Sequence, residues 1–110
     1  MKPKFNLWIE NKGTVVLSEW RVRLLQAIAS GGSLSAAAAK MRVPVRRARE
    51  KLAEMERGLG FKLVEPDPKG QGRKPLRITA RGKRLIQRFG AFQKRFDAEV
   101  ARRYRAAFGR

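Results

Sequence analysis

The 110-residue chain carries 27 Lys and Arg against 9 Asp and Glu, a formal charge of +18, with 43% hydrophobic residues and neither Cys nor His. The hydrophobic share suits a folded domain and not a disordered basic tail. The missing thiols and imidazoles exclude disulfides, thiolate metal sites, the usual zinc ligands and the commonest general base. The few carboxylates are interleaved with cations, as Glu50 is between Arg49 and Lys51. No catalytic constellation, cofactor or metal is therefore expected, and the charge points to a polyanionic partner.

Residues 4–17 are expected to form a β-hairpin. Phe5, Leu7 and Ile9 alternate with polar neighbours and point one way, Asn11-Lys12-Gly13 is a turn signal, and Thr14–Leu17 is a β-branched run. Ser18 is placed to cap a helix over 18–30, with Trp20, Leu24, Leu25 and Ile28 on its buried stripe and Gly31-Gly32 as its stop. Ser33 or Ser35 caps a second helix over 35–41. Its run Ala36–Ala39 combines high helix propensity with side chains small enough for two helices to cross closely.

Arg42-Val43-Pro44 reads as a turn, with Pro44 in the first position of a third helix over 44–58. Val45, Ala48, Leu52, Met55 and Leu59 recur at intervals of three and four, which defines a buried stripe. The opposite face falls on Arg46, Glu50 and Ala53, flanked by Arg47, Arg49 and Lys51, and Gly58 and Gly60 end the helix. A short alanine-rich helix, a three-residue turn and an arginine-studded helix are the sequence form of a helix-turn-helix, whose second helix enters the DNA major groove.

Residues 61–78 read as a strand at Phe61–Glu65, the loop PDPKGQGRKP and a returning strand at Leu76–Ile78. Such a wing would lay Lys69, Gln71, Arg73 and Lys74 along phosphates or a minor groove; an ordinary surface loop is the alternative. Thr79 caps a helix over 79–108 that carries Leu85, Phe89, Phe92, Phe96, Val100 and Tyr104 in one row. At about 1.5 Å per residue it exceeds about 40 Å, more than the rest of such a domain covers. The row is expected to be a dimer seam, with packing on the chain's own N-terminal hairpin as the competing reading. The fold class is mainly α with a small β component: a single winged helix-turn-helix domain with an N-terminal β-hairpin and a long C-terminal helix.

Basic and acidic residues number 6 and 2 in 1–41, 11 and 5 in 42–78, and 10 and 2 in 79–110, so the excess builds from the third helix onward. No apolar run approaches the roughly 20 residues of a bilayer span, and MKPKFNLWIE lacks a signal-peptide core. A cytoplasmic, nucleoid-associated location with no membrane partner is expected.

GGSLSAAAAKMRVPVRRAREKLAEMERGLGFKLVE, followed by LRITARGKRLIQRF, resembles the N-terminal DNA-binding domain of ModE-type (molybdate-responsive) regulators and, more distantly, the LysR-type helix-turn-helix. The resemblance runs from Lys4 to Phe96. It implies a winged helix-turn-helix that dimerises through its first and last helices and binds palindromic DNA, with the recognition helix on Val45–Arg57 and the wing on Lys69–Lys74. The family's serine and aromatic are replaced by Pro44 and Val45, its tryptophan by Arg49 and an arginine by Pro66, which implies a different operator. Its oxyanion-binding domain has no counterpart in these residues, so no molybdate sensing is expected.

On this reading Arg46, Arg47, Glu50 and Lys51 face the major groove, Arg42 and Arg49 lie at its edges, and Ser33 and Ser35 anchor phosphates at helix starts. Each arginine contacts either a guanine or a phosphate. The expected function is a sequence-specific regulator that binds double-stranded DNA as a homodimer; a non-specific, chromatin-like architectural protein is the alternative. RNA binding is disfavoured because Trp8 is the one aromatic placed to stack. Membrane-surface binding is disfavoured because basic residues ring the terminal helix.

Overall fold

The structure, a computed structural model, describes residues 1–109. In chain order it contains β1 (Trp8–Asn11), β2 (Thr14–Ser18), α1 (Glu19–Gly31), α2 (Leu34–Met41), α3 (Val45–Leu59), β3 (Val64–Pro66), β4 (Leu76–Ile78) and α4 (Ala80–Phe108). The strands form two separate antiparallel pairs, β1 with β2 and β3 with β4. The expected class, a mainly helical winged helix-turn-helix with a leading hairpin, is the fold observed.

The main core gathers Leu24, Leu25 and Ile28 of α1, Ala37 and Ala38 of α2, and Ala48, Leu52 and Met55 of α3, closed by Leu63 and Ile78 from the wing. A second cluster joins Leu17 and Val22 to Phe89 of α4, with Ile9, Leu85 and Ile86 around them. Helix starts follow the local chemistry. The side-chain oxygens of Ser18, Ser33 and Thr79 each accept a backbone N–H from the third residue on, so Ser33 and not Ser35 caps α2. Pro44 has extended ψ and precedes α3 as its cap residue, so the helix begins one residue later than expected, at Val45.

The hairpin is shorter than residues 4–17. Lys12 and Gly13 both have positive φ, the pair of angles a two-residue type I′ turn demands, and Asn11 faces Thr14 across it. Phe5 lies ahead of β1 and packs its ring on Phe96 with centroids 5.0 Å apart. The side-chain amide of Asn11 donates to the Gly58 carbonyl at 2.7 Å, which docks the turn on the end of α3. Gly58 does not stop that helix; Gly60 does, with φ of 82°. Gly58 instead makes room for the hairpin, since a Cβ there would lie 2.5 Å from Val16 Cγ1.

Arg21 is a departure from the expected apolar stripe of α1. It is only 7% exposed, and it donates to Glu54 of α3 at 2.6 Å. This ion pair ties α1 to the middle of α3. The Arg21 hydrogen bond holds the Glu54 carboxyl below its ordinary value of 4.5, against a smaller opposing effect of burial.

The wing strand also begins later than expected. The Glu56 carboxylate accepts from the backbone N–H of Leu63 at 2.7 Å and of Val64 at 3.3 Å, which captures the chain as it leaves α3 and leaves Val64–Pro66 for the ladder. Thr79 completes the frame, its N–H donating to the Leu63 carbonyl and its hydroxyl to the Lys62 carbonyl, both at 2.9 Å.

Two outcomes follow from these contacts. Glu54→Ala strands the buried Arg21 guanidinium and should lower stability by about 1 kcal/mol, the low end for a buried donor left unsatisfied because Glu54 is itself partly solvated. Because Glu54 titrates lower when folded, its contribution is complete above its unfolded value and is lost as pH falls through the folded one. Urea midpoints of the two proteins should therefore differ at pH 7 and converge in acid. Glu56→Ala should accelerate amide exchange in residues 63–66 and 76–78 while Glu56→Gln, which keeps an acceptor, should do so far less; equal acceleration by both would show that acceptance by residue 56 does not hold the wing.

Candidate nucleic-acid interface

Helix α3 turns its apolar stripe inward, and the hundred-degree step between residues then sends Arg46, Glu50, Ala53 and Arg57 to the opposite side. Arg46 is 88% and Glu50 66% exposed at the side chain, and the two sit 3.9 Å apart as a loose ion pair one turn apart. Arg47 and Arg57 are also exposed. Arg57 joins the sequence-predicted residues of this face, and its signal is its place seven residues after Glu50 on the same stripe.

The flanks of α3 differ from the expectation. On one side, Arg49 with Ser33, Leu34, Ser35, Arg73, Lys74 and Leu76 lines a groove of about 460 Å³ between the start of α2, the side of α3 and the wing. Lys51 lies on the other flank, half-buried, where it lines a hollow with Trp20, Arg21, Val43, Pro44 and Arg47. Its place on the outward face is therefore corrected, because the periodicity carries it toward α1. Arg42, exposed, takes a left-handed conformation with φ of 59° at the end of α2, and its N–H returns to the Ala39 carbonyl.

Within the wing, Arg73 and Lys74 reach the groove, whereas Lys69 and Gln71 are exposed in the loop and do not line it. The Leu76 N–H donates to the Gly32 carbonyl at 2.8 Å, which pins the wing's returning strand to the corner between α1 and α2. This bond holds the wing beside the start of α2, and no residue pattern announces it, since both partners are backbone atoms. The groove thus brings together five of the residues singled out from sequence: Ser33, Ser35, Arg49, Arg73 and Lys74.

The expected dimer row divides. Phe89 is 3% exposed and closes over Leu17 and Val22, and Leu85 packs against the same cluster, so both serve the chain's own core and are withdrawn from a seam. The hairpin supplies that cover, as the competing reading held. Farther along, Phe92 and Phe96 remain 47% and 38% exposed. Val100 and Tyr104 line an apolar hollow with Pro3, Phe96, Ala107 and Phe108.

Comparison with known proteins agrees with this geometry. The family model described as bacterial regulatory helix-turn-helix protein, lysR family, matches residues 20–83, from the first turn of α1 to the first turn of α4. The BenM DNA-binding domain solved with catB site 1 DNA is 25% identical, with a TM-score of 0.58 over 84% of this chain and 98% of that one. The CbnR DNA-binding domain in its DNA complex is 22% identical, with a TM-score of 0.59 over 81% and 97%. ArgP from Mycobacterium tuberculosis is 25% identical, with a TM-score of 0.51 over 73% of this chain and 29% of that one. No curated protein matches the sequence. With more than half of its length under that family model, the chain belongs to the lysR family of bacterial regulatory helix-turn-helix proteins.

Proposed function

We propose that this chain regulates transcription by binding specific double-stranded DNA sites as a homodimer, with α3 as the reading helix. The observation that carries the proposal is the exposed cationic face of α3 running into the groove shared by Ser33, Ser35, Arg49, Arg73 and Lys74. Arginine grips the O6 and N7 edge of guanine with two hydrogen bonds, a task suited to Arg46 and Arg47, and Glu50 can accept from cytosine N4. The groove suits a phosphate strand: it has cationic side chains on two walls and the start of α2 on the third, where helix N–H groups favour anions. Lys69 and Gln71 would extend that contact along the duplex.

The partner is supported by the BenM and CbnR relatives, which were solved on DNA. Dimerisation is supported by the apolar surface of distal α4, where Phe92, Phe96 and Phe108 are exposed. The ModE-type likeness rests on the residues from Gly31 to Glu65 and from Leu76 to Phe89, together with the leading strand, which lies ahead of residues 20–83.

After selection of preferred duplexes from a random pool, Arg46→Ala and Arg47→Ala should each cost roughly 10- to 100-fold in affinity for the preferred duplex and far less for random DNA. Lys2→Ala with Lys4→Ala, remote in sequence from α3, should leave that preference unchanged. Equal losses on both duplexes would assign the arginines to phosphates alone, as in a non-specific coating protein. A homodimer should protect two half-sites centred about 34–36 Å apart; protection of one unpaired half-site would contradict the dimer.

A further inference from the structure

Arginines recur on α4 at seven-residue intervals, at Arg81, Arg88, Arg95 and Arg102, with Arg84 and Arg105 three residues after the first and last. Seven residues make nearly two turns, so the row advances about 10.5 Å per step and slips only about 20° around the axis. All six are exposed, and the short side chains of Ala91 and Ala98 lie between them on the same strip. The basic residues that ring this helix therefore include one ordered arginine track.

The charge on the track is uneven. From Ala80 to Phe96 the helix has no acidic residue. Among the described residues Arg84, Arg88 and Arg95 make no ion pair, while Glu99 accepts from Arg102 at 2.6 Å and from Arg103 at 2.8 Å. Those two guanidinium groups hold the Glu99 carboxyl down to about 2, so it stays ionised and offsets the charge of the distal helix. Of the unpaired arginines, Arg84 and Arg88 thus sit in the first half of α4 and Arg95 at its middle. Arg81 marks the junction, with its guanidinium 3.9 Å over the ring of Phe61, two residues past the end of α3.

We propose that Arg84, Arg88 and Arg95 form a second DNA contact, a track that holds the phosphate backbone of the duplex flanking the segment read by α3. The proposal rests on α3 being a DNA-reading helix and adds a surface outside it. Three observations select this occupant. The free arginines span about 16 Å of helix, which matches roughly five phosphates of one strand at about 3.4 Å each. The arginine row begins at Arg81, whose guanidinium lies over Phe61, the second residue past the end of α3. An anionic membrane would need an apolar surface along the whole track, but beside Arg84 and Arg88 the apolar side chains Leu85, Ile86 and Phe89 are packed into the chain's own core, and the exposed Phe92 and Phe96 flank Arg95 alone.

The test compares the full chain with an Arg84→Gln, Arg88→Gln, Arg95→Gln variant on two duplexes, one restricted to the preferred site and one extended by about 15 base pairs on each side. Glutamine keeps helix propensity and removes charge, and circular dichroism with thermal melting checks the fold. On the extended duplex the slope of log affinity against log salt should become shallower by about 2.7, or 0.9 for each lost phosphate contact. On the restricted duplex the slope should not change, and preference for the site over random sequence should survive. Equal slopes for both proteins on the extended duplex, or an equal change on the restricted one, would overturn the track, as would loss confined to binding of phosphatidylserine vesicles or of an acidic polypeptide. A chain that prefers its site without any slope difference would overturn the track alone; a chain that binds no duplex would overturn the reading of α3 as well.

Discussion

The close crossing of α2 behind α3 is the constraint on which the interface depends. Ala37, Ala38 and Ala48 are buried to 1% exposure or less, and in a close-packed interior a longer side chain at any of them would push the helices apart. The turn between them is closed by backbone bonds and by the packing of Met41 and Val43 on the core: the Val43 N–H returns to the Ala38 carbonyl at 3.0 Å, and Arg42 takes a left-handed conformation. With its apolar stripe seated this closely, α3 has one orientation available, and its arginines stand outward. Leu52 and Met55 supply the hydrophobic hold, and the alanines set its depth.

Carboxylates act mainly as fasteners in this chain. Arg21 meets Glu54 between α1 and α3, Arg77 meets Glu65 across the wing, and Glu56 takes two backbone N–H groups where the wing begins. Asp67 accepts the Lys69 N–H in the loop, and Glu19 pairs with Arg23 on α1. The cations outnumber these partners three to one, so most of them face solvent without an opposite charge. A surface built this way gains affinity for phosphate polymers by releasing their counterions, and the same mechanism makes that affinity fall with salt.

Much of this was legible in the residues. Hydroxyl caps at Ser18 and Thr79, the Val45-to-Leu59 stripe, the turn at Asn11–Gly13 and the proline-rich loop each follow from local chemistry that needs no tertiary context. What escaped the sequence was decided between distant segments. Gly58 looked like a helix stop but accommodates Val16, Lys51 looked outward but the helical step carries it toward Trp20, and Phe89 looked available to a partner but lies under Leu17. Arg21 had no apolar signature, because a buried cation is recognisable only once Glu54 is opposite it. The regular arginine spacing on α4 was present in the sequence and hidden by the lysines around it.

Backbone amide chemical shifts, followed by NMR as a preferred duplex is added, would show which surface meets DNA. Perturbations should concentrate at residues 33–35, 46–50 and 73–76, where the start of α2, the arginine face of α3 and the wing converge. Perturbations confined to the hairpin and to α4 beyond Phe92, with residues 46–50 unmoved, would mean that the alanine-backed helix is not the surface that reads the duplex.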